Sequence, residues 1–275
     1  MKMKAIEPYW NPTSDLSEFL FHINKVERTD FTDFPDVPQT VLPFFSFVYL
    51  QEGEVLLEIE GKPYLCQGRQ FLMVPANVAF KVLHFNKNVG FECGFSIRML
   101  KDVSYACLHS PNPLHQFFEP EEAAFTCSLL ELLYKAQREN HKEKNCTLIQ
   151  SAMDLFLCRL VPQKDYLGNG TVSRFLEMVF DRNARPMKVA EYASALCITP
   201  NYLNRLVRAH TRHSAMDWIE ISRLNLAKLL LKQNRFQISE IAEAVGIDDQ
   251  SYFTRFFKKY EGCTPSQFRD RILNR

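Results

Sequence analysis

The chain has 275 residues, 46% of them apolar and 13% aromatic, with 33 Lys+Arg against 32 Asp+Glu for a net charge of +1. That much apolar material excludes a disordered chain and leaves room for two ordinary domains. The near-neutral total conceals an asymmetry: residues 1–170 hold 16 basic and 21 acidic side chains, a net −5, whereas residues 171–275 hold 17 and 11, a net +6. A basic segment beside an acidic one is the charge pattern of a protein in which one part meets nucleic acid.

The opening stretch MKMKAIEPYWNPTSDL lacks the apolar core of a signal peptide, and no apolar run reaches membrane-spanning length. The eight cysteines, at 66, 93, 107, 127, 146, 158, 197 and 263, are scattered and form no C-x-x-C pair. Free thiols in a reducing compartment are the simplest reading, which predicts a soluble cytoplasmic protein with no membrane contact.

From about Phe44 to Ile97 the apolar period is two. Phe45, Phe47 and Tyr49 share one face; Val55, Leu57 and Ile59 alternate with Glu54, Glu58 and Glu60; Phe91, Cys93, Phe95 and Ile97 repeat the pattern. Turn signals at Gly53, Gly61, Gly68 and Pro75 separate these runs, so the spacing predicts short strands in a β-sandwich or small barrel. The period then becomes helical. Phe125, Leu129, Leu132, Leu133 and Ala136 recur behind an acidic first turn, and Leu148, Ile149, Ala152, Phe156 and Leu160 follow. Two such apolar helices, over about 121–160, suit a cover for the sheet or a dimer seam. VPQKDYLGNGT, rich in turn residues where the charge changes sign, predicts a boundary between a domain at 1–165 and one at 166–275.

Only helices are expected beyond it. QISEIAEAV places Ile238, Ile241, Ala242 and Val245 on one face with Ser239 as N-terminal cap, and Gly246 permits a positive-φ turn. A second helix from about Asp249 to Tyr260 buries Phe253, Phe256 and Phe257. Its opposite side presents Gln250, Ser251, Thr254, Arg255 and Lys258. Two short helices about a glycine turn, the second with this polar stripe, are a helix-turn-helix at about 238–260. Arg bonds guanine in bidentate fashion, Gln pairs with adenine, and Lys258 and Lys259 suit phosphates.

The plan recurs fifty residues upstream, at about 187–208. Val189, Tyr192, Ala193 and Leu196 face a core, Thr199 caps, and Pro200 takes the first helical position. Leu203, Leu206 and Val207 are buried, leaving Asn201, Asn204, Arg205 and Arg208 outside. Between the copies, DWIEISRLNLAKLLLKQ predicts a linker helix of about 25 Å, against about 34 Å between successive major grooves.

These residues carry a resemblance. ISEIAEAVGIDDQSYFTRFFKKYEGCTPSQFR looks like the C-terminal signature of the AraC/XylS transcription regulators, and AEYASALCITPNYLNRLV…SRLNLAKLLL like their first helix-turn-helix and linker helix. It covers about 100 residues, from roughly Ser173 to Ile272. It implies double-stranded promoter DNA as partner, RNA polymerase as a further partner of an activator, and an N-terminal cupin-like domain that senses a small molecule or forms a homodimer. Position by position it puts base contacts at Asn201, Asn204, Arg205, Gln250, Ser251 and Arg255. One departure stands out. Where the family usually has F-K-K-x-x-G after the first recognition helix, this chain reads VRAHTRH, with Arg212 in place of the glycine.

The first half is similar to the family's cupin-like domain in pattern alone. Metal-binding cupins carry H-x-H and a following Glu, whereas the corresponding strand here reads GEVLLEIEG. His84 stands alone on a later strand, and His22, His109 and His115 fall outside the strand run. No metal, cofactor or catalysis is expected. Phe45, Phe47, Tyr49, Val55, Leu57 and Ile59 either line an apolar ligand pocket or fill the barrel, and Arg69 and Lys81 either hold an anionic ligand or sit on the surface. Two other functions remain in contention: a small-molecule enzyme on the cupin-like barrel, and a ligand-independent regulator controlled by a protein partner through the helices at 121–160.

Overall fold

A computed structural model describes residues 20–28, 39–110, 112–138, 142–161, 170–181 and 184–273. The chain divides into two compact units, Met1–Tyr166 and Leu167–Arg275. The opening stretch and residues 162–169, on which the boundary reading rests, lie outside the described residues.

Among the described residues of the first unit, seven strands form one antiparallel sheet: β1 (Phe21–Arg28), β2 (Thr40–Val41), β3 (Phe45–Ile59), β4 (Lys62–Gln67), β5 (Gln70–Val74), β6 (Ala79–Phe95) and β7 (Leu114–Phe117). Their order is β1-β6-β3-β5-β7, with β2 on β6 and β4 on β3. Three strands lie outside the expected run, β1, β2 and β7, and the first and last of them take His22 and His115 into the sheet. Ile97, expected to continue the last strand, instead opens a 3-10 turn and is exposed.

The long strands β3 and β6 pair along most of their length, and their irregularities decide what faces what. Gly53 does not close a turn, as its flanks suggest. It sits at φ 84° inside β3, where the pairing with β6 shifts register on both sides. A Cβ there would lie 2.2 Å from the Lys87 carbonyl oxygen, so only glycine fits. Such a slip exchanges the two faces of a strand. Before it, Phe45, Phe47 and Tyr49 join Phe71, Phe91 and Phe95 in one core. Beyond it, Val55, Leu57 and Ile59 lie instead with Leu50, Leu72 and Phe85 in a second core. The Glu60–Gly61 pair, at φ 49° and 77°, closes the hairpin into β4 as a primed turn does.

The slip also turns Glu54 inward, against the simple alternation. Its carboxylate accepts from Gln67 Nε2 at 3.2 Å and lies 3.5 Å from His84 Nε2, and its amide donates to Asn88 Oδ1 at 3.1 Å. A buried carboxylate survives only where such donors replace water.

Helices α1 (Pro120–Arg138) and α2 (Lys142–Leu157) cover the phenylalanine face. The Phe156 ring lies 5.2 Å from those of both Phe47 and Phe71, and the Tyr49 hydroxyl donates to the Ala123 carbonyl at 3.1 Å. Leu129, Leu133, Ala136 and Ala152 are buried, but Phe125, Leu132 and Leu148 point outward. Among the described residues of the second unit there are seven helices and no strand: α3 (Gly170–Phe180), α4 (Val189–Ala195), α5 (Pro200–Thr211), α6 (Ala215–Gln233), α7 (Ile238–Ala244), α8 (Gln250–Glu261) and α9 (Pro265–Leu273).

Burial pushes the His115 imidazole down to about 3. Its folded value lies below the unfolded value near 6.5, so its contribution is complete above about pH 6.5 and lost as pH falls toward 3. Between pH 6 and 4 the stability of the wild type relative to His115→Asn should fall by about 1.4 kcal/mol per pH unit. Urea unfolding of both proteins at each pH checks this, since the other buried groups titrate alike in the two.

Candidate nucleic-acid interface

Helices α5 and α8 are built alike, fifty residues apart. Each begins at a side-chain cap: Thr199 Oγ1 accepts from the Tyr202 amide at 3.3 Å, and Asp249 Oδ1 from the Tyr252 amide at 2.8 Å. Pro200 opens α5, where its missing N–H costs nothing. Leu203 and Val207 bury one side of α5, and Phe253, Phe256 and Phe257 bury one side of α8. The preceding helix α7 has Gln237 rather than Ser239 as its N-terminal cap, and the Glu240 carboxylate reaches back to accept from the Gln237 amide at 2.6 Å.

Of the expected DNA-facing residues, Asn201, Arg205 and Arg208 on α5 and Gln250, Ser251, Arg255 and Lys258 on α8 are exposed. Asn204 and Thr254, at equivalent positions, are half-buried and serve the protein. Asn204 Oδ1 accepts from the Ala215 amide at 3.1 Å, satisfying the first N–H of α6, and the Thr254 hydroxyl donates to the Gln250 carbonyl at 2.9 Å. One of the two acceptor positions of the Asn204 amide oxygen is thereby used within the domain.

Two tyrosines that a three-to-four-residue stripe passes over also stand on this surface. Tyr202 and Tyr252 are 42% and 49% exposed, and the Arg205 guanidinium lies over the Tyr202 ring, 5.4 Å from its centre. Their recurrence at the same place in both copies was the available signal.

Both helices end in a left-handed residue, Gly262 at φ 69° and Arg212 at φ 62°. The departure from glycine therefore keeps the conformation and bears its strain. Replacing Arg212 by Gly should raise stability by up to about 1 kcal/mol, less what glycine's freedom returns to the unfolded chain. Thermal unfolding of the two proteins measures the balance.

The helices are anchored to α6 by polar ties. Trp218 Nε1 donates to Thr211 Oγ1 at 2.9 Å in the first copy, inside the core. In the second, Lys228 of α6 pairs with Glu261 at the end of α8, both side chains 5% exposed. Tyr260 adds a hydrogen bond from its hydroxyl to Glu220. Removing one member of a buried pair exposes the other's desolvation cost, so Glu261→Ala should destabilise by about 3 kcal/mol. Chemical denaturation of the two proteins is the measurement, with a change under 1 kcal/mol contradicting a desolvated pair.

The residues expected to hold a ligand in the first unit do not converge. Phe45, Phe47 and Tyr49 pack into the core beneath α1 and α2, and Leu57 lies in the other core because the slip at Gly53 exchanges the faces. Arg69 occupies a left-handed turn position at φ 65° with its guanidinium over the Phe117 ring, 5.1 Å from the centre. Lys81 lies 4.0 Å from Glu58. Among the described residues no group of three His, Cys, Asp or Glu could hold a metal ion, and no helix is long and apolar enough to cross a membrane.

Residues 192–271 match the profile of a helix-turn-helix domain. The chain is 42% identical over 81 residues to the arabinose operon regulatory protein of Escherichia coli strain K12, which is 30% of this chain and 28% of that one. It is 31% identical over 125 residues to the uncharacterized transcriptional regulatory protein YesN of Bacillus subtilis strain 168, or 44% and 34% of the two chains. The chain thus spans about a third of the length of these curated relatives, or less. Among solved structures, the C-terminal domain of AraT, a response regulator from Geobacillus stearothermophilus, aligns at 30% identity. That alignment covers 39% of this chain and 88% of that one with a TM-score of 0.37.

Proposed function

We propose that this chain, a member of the AraC/XylS-type helix-turn-helix regulators through its C-terminal domain, binds promoter DNA by inserting α5 and α8 into adjacent major-groove segments. The observation that carries this reading is the paired presentation of Arg205 with Arg208 and of Arg255 with Lys258. Each pair is exposed on a helix whose other side is core, within a segment of net charge +6. A guanidinium so presented forms two parallel bonds to guanine O6 and N7. Gln250 near the N-terminus of α8 suits adenine, and Arg208 and Lys258, one turn deeper, suit phosphates. Asn201 and Ser251, beside the caps, complete the surface, with Asn204 and Thr254 behind it. Helix α6, 19 residues long, spans about 28 Å and holds the two readers at a separation suited to one face of the duplex.

The first unit, 1–165 in this reading, is a cupin-like module that senses a small molecule or forms a homodimer, with Phe125, Leu132 and Leu148 exposed on its helices. The protein works in the cytoplasm, contacts RNA polymerase if it activates, and has no catalytic role.

Selection of sites from random duplexes by the full chain, followed by anisotropy titrations at several salt concentrations, tests the reading. Arg255→Ala should cost about 1–3 kcal/mol and relax the preference at one base pair. Lys258→Ala should weaken all sequences alike and reduce the salt slope by about 1. Selection that yields no consensus, with binding insensitive to salt, would overturn it.

A further inference from the structure

The turn between α7 and α8 is one residue longer than the turn between α4 and α5, and it differs in one other respect. Gly246 and Cys197 occupy the same left-handed position, at φ 76° and 56°. A side chain at Cys197 is tolerated and exposed, so the backbone conformation alone does not demand glycine at 246. What demands it is a neighbour. A Cβ at Gly246 would stand 2.6 Å from the Pro186 carbonyl oxygen, in the segment that leads into α4 of the other helix-turn-helix.

That segment is pinned on both sides. The Met187 amide donates to the Tyr192 hydroxyl at 3.3 Å within its own helix-turn-helix. The Met187 carbonyl accepts from Arg223 of α6 at 3.4 Å, and the same guanidinium nitrogen would lie 3.4 Å from a Cβ at Gly246. Arg185 pairs with Asp248, in the longer turn, but both side chains are largely exposed and such a pair contributes little. The contact therefore depends on Pro186 against Gly246 and on Arg223 between them.

We propose that Pro186, Met187 and Arg223 form a strap that holds the second reader directly against the first, so that this contact, together with the linker helix, sets the half-site spacing the protein accepts. Arg223 is then a positioning residue and Gly246 the seat of the strap. The inference rests on the reading that both α5 and α8 enter the major groove. A helix alone leaves its two ends free to pivot where their caps meet it, whereas a second contact away from its axis removes that freedom.

Inserting one base pair between half-sites moves one of them about 3.4 Å along the duplex and turns it by about 35°, which a rigid pair of readers cannot follow. With the full chain and its selected bipartite site, the wild type should lose at least about tenfold in affinity on that insertion. Arg223→Met should bind the original site more weakly, keep the base preference of each half-site, and lose less than about threefold on insertion. Arg223→Lys should lie between, and Arg185→Ala should behave as the wild type. Hydrogen exchange without DNA gives an independent reading: in Arg223→Met the amides of 184–190 and 245–250 should exchange faster together. Gly246→Ala should act in the same direction; if it does not fold, Arg223→Met, which adds no atom to the turn, carries the test. A folded Arg223→Met with the wild-type insertion penalty and unchanged exchange overturns the strap. A wild type that selects no bipartite site overturns instead the reading that both helices bind DNA.

Discussion

Burial of Phe253, Phe256 and Phe257 beneath α8, and of Leu203 and Val207 beneath α5, fixes the rotation of each helix about its axis. On a helix of 3.6 residues per turn, seating one side in a core leaves the other side no choice of residues to present. Arg255 and Lys258 face outward because Phe253 and Phe256 cannot. What these helices can touch depends on that constraint, which acts before any partner arrives.

Apolar packing sets rotation well but sliding and tilt poorly, since one methyl group fits another's place with little loss. The polar ties supply what it lacks. The Trp218–Thr211 bond, the Asn204 cap on Ala215 and the buried Lys228–Glu261 pair each have one satisfactory geometry. A buried ion pair adds little net stability over an apolar pair, so its value here lies in specifying one arrangement. Asn204 shows how such a tie is made: a half-buried side chain of α5 accepts the first N–H of α6.

The first unit turns on a local irregularity rather than a periodic one. The slip at Gly53 lets β3 serve two cores, one beneath α1 and α2 and one enclosed with β4 and β5, and brings Glu54 into the interior with His84, Gln67 and Asn88. The six apolar residues read from alternation as a pocket lining are divided between the two cores for the same reason. A strand taken as uniform assigns Phe45 and Leu57 to one side, and a single extra residue between them does not permit it.

Much of the second unit was legible in the amino-acid sequence: the caps at Thr199 and Asp249, the glycine turn at 246, the buried phenylalanines and the outward Arg and Lys. These are local facts, decided by residues within two turns of one another, where spacing and capping chemistry determine the conformation. Less of the first unit could be read this way, and there the two-residue period located strands but not their register. Only the tertiary structure decided that Asn204 would turn to α6, that Gly53 would be a bulge and that Pro186 would press on Gly246. Each of these depends on atoms distant in the chain coming within a few ångströms. A pattern of residue types contains no distance between segments, so it can say which side of a helix is buried but not against what.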